Sequence, residues 1–105
     1  MQFIETPIFT KRIKSFVADE DYRLLQVQLA LNPIAGAVIK GSGGIRKLRW
    51  SGDHKGKRGS YRILYYYANS LHQVWMLFVF AKNEQSDLSP DQLKTLRRIV
   101  ENWQP

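Results

Sequence analysis

The run Val74 to Ala81 (VWMLFVFA) is apolar at all eight positions, the longest such stretch in a chain of 105 residues. It falls far short of the roughly 20 residues that a bilayer-spanning helix needs. Counted with a period of two it is apolar on both faces, the pattern of a central strand covered on both sides. A chain of 105 residues fits one compact domain around such a strand, residues 1–105. A domain of that size has little room for a large enclosed cofactor cavity, so any active site is expected on an open surface.

The flanking segments supply partners for that strand. Ile45 to Trp50 alternates, with Arg46, Leu48 and Trp50 on one face and Ile45, Lys47 and Arg49 on the other. Ser60 to Tyr67 alternates too, with Tyr61, Ile63, Tyr65 and Tyr67 opposite Arg62, Leu64 and Tyr66. The polar, glycine-bearing run Ser51 to Gly59 joins the two as a hairpin loop, and Asn69 with Ser70 turns the chain into Val74 to Ala81. Three consecutive strands with such connections predict an antiparallel meander.

Helical signals surround the meander. Met1 to Glu5 reads as a short strand, after which Thr6 offers an N-cap and Pro7 the first helical position. Phe9, Ile13, Phe16 and Val17 form one apolar stripe, and this helix should end near Val17. Asp19 is expected to cap a second helix, in which Tyr22, Leu25 and Leu29 form a line that Leu24 and Leu31 widen, until Asn32 and Pro33 stop it. Gly36, Gly41, Gly43 and Gly44 then read as a loop leading into the sheet; they match neither a P-loop nor a strand-led GxGxxG. At the other end, Ser89, Pro90 and Gln92 form a capping box, Leu88 and Leu93 a hydrophobic staple, and Leu93, Leu96, Val100 and Trp103 recur at helical spacing. The sum is an α+β architecture.

Charge narrows the function. Between Lys40 and Arg62 lie eight of the sixteen bases (Lys40, Arg46, Lys47, Arg49, Lys55, Lys57, Arg58 and Arg62) against the single acid Asp53, so this segment carries the whole net charge of +7. Concentrated charge of one sign suits a surface that meets a polyanion, most simply nucleic acid, although a solvated basic loop has the same composition. The chain has no cysteine, which removes disulfides, thiolate metal sites and thiol nucleophiles. His54 and His72 are its two histidines and do not form a pair with ligand spacing, so neither a metal nor another cofactor is expected. The N-terminal segment reaches Lys11 and Arg12 without an apolar signal-peptide core, so a cytoplasmic protein with no membrane association is expected.

What remains is an array of cations with interleaved tyrosines. RNA brings its own nucleophile, the 2′-OH, which attacks the neighbouring phosphodiester once charge on the phosphorane is stabilised and protons are moved. Arginine and lysine can stabilise that charge without a metal, a lysine whose pKa is depressed by other cations can carry protons, and tyrosines can stack on splayed bases.

The segments GGIRKLRW, KGKRGSYRILYYY and FAKNEQSDLS, in the order strand, two helices, meander and terminal helix, resemble the RelE superfamily of bacterial toxins, and specifically its HigB-like branch, over essentially the whole chain. The resemblance implies a RelE-like small domain that cleaves translated mRNA in the ribosomal A site. It also implies a cognate antitoxin, in this branch often bearing a helix-turn-helix domain. The family's catalytic cations fall on Lys47, Arg49 and Arg62, with Lys82 or the adjacent Asn83 after the last strand. Asn83 stands where RelE-type enzymes have arginine, and Ser89 where they have a tyrosine, so Tyr61 or Tyr65 is expected to stack on RNA instead. Lys55, Lys57 and Arg58 are expected to contact ribosomal RNA phosphates. The alternatives are a basic nucleic-acid-binding module without catalysis and a degenerate toxin that binds only its antitoxin.

Overall fold

The computed structural model describes residues 1–51 and 60–103. Its elements are β1 (Gln2–Glu5), α1 (Pro7–Phe16), α2 (Asp19–Leu31), β2 (Ala37–Val38), β3 (Arg46–Trp50), β4 (Tyr61–Ala68), β5 (Gln73–Ala81) and α3 (Pro90–Trp103), with a short 3₁₀ turn at Asn69–Leu71. The sheet order is β1-β5-β4-β3-β2. The expected antiparallel meander β3-β4-β5 is present, and β1 adds to it in parallel, Gln2 beside Gln73 through Glu5 beside Met76. The fold is α+β with a mixed sheet.

Two helical layers cover the two faces. Phe9 and Ile13 of α1 and Leu25 and Leu29 of α2 pack on Leu48, Ile63, Tyr65, Met76 and Val79. On the opposite face Leu96 and Val100 of α3 pack on Ile45, Leu64, Trp75, Leu77 and Phe80. The alternation read from β3 and β4 survives: β4 buries apolar residues on both sides, while β3 turns Leu48 and Trp50 to the α1 and α2 face and Lys47 and Arg49 to the other.

Strand β5 departs from simple alternation. Leu64 pairs with Phe78 but Tyr65 with Met76, so Leu77 is an extra residue in the ladder, and the consecutive Leu77 and Phe78 both join the α3 cluster. Thr6 stabilises this bulge: its hydroxyl donates to the Leu77 carbonyl at 2.8 Å while accepting from Phe9 N at 3.1 Å as the α1 cap. Beyond Met76 no strand pairs with the outer edge of β5 among the described residues. There the Arg12 Nε donates to the Val79 carbonyl at 2.7 Å, so α1 covers an edge that would otherwise be open. Strand β5 lies between β1 and β4 and is apolar on both faces as expected, while β4 is the middle strand of the five.

Three other expectations are corrected. Ala18, not Asp19, is the N-cap of α2, without a side-chain bond; Asp19, Glu20 and Asp21 instead fill its first turn, where they favour the helix dipole. Leu24 and Leu31 face solvent, at 57% and 83% exposure, so only the narrower line reaches the sheet. The glycine-bearing lead into β3 contains the two-residue strand β2, Ala37 and Val38 pairing with Lys47 and Arg46. The α3 capping box forms as expected, Ser89 N donating to Gln92 Oε1 at 2.9 Å and Gln92 N to Ser89 Oγ at 3.1 Å.

A candidate anion site on the face beneath α3

Strand alternation places Lys47 and Arg49 of β3 and Arg62 of β4 on the face that α3 covers, beside the buried anchors Ile45 and Leu64. In register Arg49 is directly opposite Arg62, and Arg62 has Phe80 of β5 on its other side. Lys47 lies opposite Leu64, diagonal to Arg62, a relationship in which long side chains reach one another across about 7–8 Å. Gly36 fixes the approach of the preceding segment to β3. A Cβ there would stand 2.9 Å from Tyr65 Cε1 and 3.1 Å from the Lys47 backbone.

Arg62 is 9% exposed, and its Nη1 donates to Ser60 Oγ at 3.2 Å and to the Tyr61 carbonyl at 3.3 Å. Both acceptors are neutral, an unusual endowment for a buried guanidinium, which is ordinarily matched by a carboxylate. Among the described residues the acid that approaches the group is Asp87, in the turn before α3. Its Oδ1 accepts from Lys47 Nζ at 2.9 Å and from Leu88 N at 2.8 Å. The Lys47 hydrogen bond, then the Leu88 N–H and the charges of Lys47 and Arg62, hold the Asp87 carboxyl below the usual aspartate range. Among the described residues Lys47 and Arg62 thus share this carboxylate while Arg49 has none, which leaves an excess of positive charge suited to a further anion.

Lys82 and Asn83 follow directly. Lys82 N donates to the Ser60 carbonyl at 2.8 Å, extending the β4–β5 ladder one pair beyond the strand and bringing Lys82 to the Arg62 end of the sheet. Glu84 holds the ensuing turn, accepting from Ala81 N at 2.9 Å and from Arg12. The side chains of Arg49, Lys82 and Asn83 are exposed. Among the described residues they make no hydrogen bond or ion pair.

The expected stacking tyrosines are elsewhere. Tyr65 is fully buried on the opposite face, its hydroxyl donating to the Pro33 carbonyl at 2.8 Å and accepting from Gly36 N at 2.9 Å, and burial pushes its pKa upward. Tyr61 is 9% exposed and packs its ring against Phe16 and Trp50, at centroid distances of 5.1 and 6.0 Å. Neither ring is offered to a nucleobase beside Arg62, since residues one or three apart on a strand face opposite sides. Lys55, Lys57, Arg58 and His54 lie outside the described residues.

Sequence reasoning missed Asp87 and Ser60 as members of this site. Asp87 had one signal, its place in a turn before a well-capped helix, but nothing local pairs it with a lysine 40 positions away. Among the described residues no group of three or more His, Asp or Glu is arranged to hold a metal ion, and no helix is long and apolar enough to cross a membrane.

The model of one protein family, described as RelE toxin of the RelE / RelB toxin-antitoxin system, matches residues 7–105. That span takes in the cation strands, the Asp87 turn and every helix. On that match the protein belongs to the RelE toxin family, the toxin half of a toxin-antitoxin pair, with an antitoxin as its partner.

Proposed function

We propose that the protein is a metal-independent mRNA interferase of the HigB-like kind, acting on translated mRNA at the ribosome. The observation that carries this reading is the buried guanidinium of Arg62, which is in register with Arg49 and whose acceptors among the described residues are neutral. A scissile phosphate seated between Arg62, Arg49 and Lys47 would meet charge-assisted donors that strengthen as the phosphorane forms. The 2′-OH attacks phosphorus, the P–O5′ bond breaks, and the proton lost from the 2′-OH is matched by one delivered to the 5′ oxygen. Lys82, at the open end of the group, is suited to moving one of those protons, and Asn83 to hydrogen-bonding the RNA. In this reading Lys55, Lys57 and Arg58 contact ribosomal RNA, the protein acts in the cytoplasm, and its antitoxin carries a helix-turn-helix domain.

The test is cleavage of mRNA on translating ribosomes in the presence of a chelator, with end analysis of the products. Cleavage should yield a 2′,3′-cyclic or 3′-phosphate and a 5′-OH, and Arg62→Ala should abolish both cleavage and growth arrest. An Arg62→Ala protein that still cuts overturns the assigned site. A folded wild-type protein that binds RNA without cutting it would instead support a non-catalytic module.

A further inference from the structure

Asp87 is placed at the cation group by its backbone as well as by its charge. Gln85 Nε2 donates to the Asp87 carbonyl at 2.8 Å and to Gln92 Oε1 at 2.8 Å, and the Ser89–Gln92 capping box anchors the chain two residues on. The turn is thus tied to the first turn of α3, and the carboxylate is held where Lys47 Nζ and Leu88 N converge on one oxygen. An ammonium and a backbone N–H directed at one anionic oxygen, with a guanidinium close by, is the donor set that a phosphate oxygen takes. The carboxylate is nevertheless accessible, its side chain 61% exposed and that of Lys47 33%.

We propose that Asp87 is an exchangeable internal counterion, whose carboxylate occupies in the free protein the seat of a nucleic-acid phosphate oxygen and yields Lys47 to that phosphate on binding. The proposal rests on reading Lys47, Arg49 and Arg62 as a phosphate-binding group, and it names how that group is regulated. In the free state the carboxylate offsets repulsion between Lys47 and Arg62 on neighbouring strands. In the bound state it stands beside the phosphate as a like charge, which weakens the complex and speeds release. One side chain therefore favours the empty site and disfavours the filled one.

The test uses Asp87→Asn, which keeps the shape of the side chain and an acceptor for Leu88 N while removing the charge. Two probes avoid any dependence on cleavage: a 2′-deoxy oligonucleotide, followed by fluorescence anisotropy at low salt, and inorganic phosphate, followed by the rise in melting temperature relative to chloride at equal ionic strength. Asp87→Asn should bind the oligonucleotide about two- to fivefold more tightly than wild type, the scale of an exposed charge interaction, and phosphate should stabilise it more. Both gains should shrink in a Lys47→Ala background, where the carboxylate no longer competes for the ammonium and only its like-charge repulsion remains. Equal or weaker binding in either probe, or a gain that is undiminished without Lys47, overturns the proposal. A gain in a protein that does not cut mRNA would leave the counterion standing and remove the ribonuclease reading; cutting without any gain would do the reverse.

Discussion

Arg49 and Arg62 are direct cross-strand partners on β3 and β4, so two guanidinium groups share one patch of the sheet. Like charges in opposed positions are destabilising, and a pair that persists at a partly buried site points to a use for the charge. Arg62→Met keeps most of the stem and removes the charge. Its stability should stay within about 1 kcal/mol of wild type, because relief of repulsion offsets the loss of two hydrogen bonds to neutral oxygens. Cleavage should fall about 10²–10³-fold, the cost of one transition-state donor. Thermal melts and single-turnover cleavage on the same preparation check the two halves.

Tyr65 should behave as a structural residue. Its hydroxyl bridges Gly36 N and the Pro33 carbonyl on the face away from Arg62. Tyr65→Phe leaves a buried donor and an acceptor without a partner, a loss of about 1–3 kcal/mol in urea unfolding. The rate of the chemical step should be unchanged under conditions where the variant is folded.

Tyr22 links stability to alkaline pH. Its hydroxyl donates to Glu5 Oε2 at 2.6 Å, and burial first, then that hydrogen bond and the Glu5 charge, push the phenol pKa well upward. The folded state therefore holds the proton more tightly than the unfolded chain does. The stabilisation is complete below the ordinary tyrosine value of about 10 and declines as pH rises above it. Tyr22→Phe should lower stability by about 1–3 kcal/mol at neutral pH and flatten the alkaline decline. Urea midpoints measured from neutral to alkaline pH show both effects.

Thr6 serves two elements through one hydroxyl, capping α1 at Phe9 N and satisfying the Leu77 carbonyl at the β5 bulge. Thr6→Val, similar in shape, should cost about 1–2 kcal/mol by chemical denaturation. Amide exchange should accelerate first at Phe9, since that N–H loses its acceptor.

Short-range chemistry accounts for what was legible. The Thr6–Pro7 start, the Ser89–Gln92 box and the two alternating strands each depend on residues within a few positions of one another, and each formed. The same alternation already set Tyr61 and Tyr65 on the face opposite Arg62, and taking it strictly would have kept those rings out of the site. Strand β2 was illegible because two residues carry no period. The width of the α2 stripe was illegible because a helix buries only the line its contact with the sheet permits, which admits Leu25 and Leu29 and leaves Leu24 and Leu31 outside.

The order of residues alone determined that this chain has a basic segment on alternating strands, with Lys47 and Arg49 sharing a face and Arg62 available to join them. It did so because side-chain direction in a strand is a local property of the backbone. Only the tertiary structure decided that Arg49 meets Arg62, that Arg62 is buried with neutral acceptors, and that Asp87 reaches Lys47 from the turn before α3. Register and long-range ion pairs follow from how two helical layers pack across one sheet, and no window of neighbouring residues contains that information.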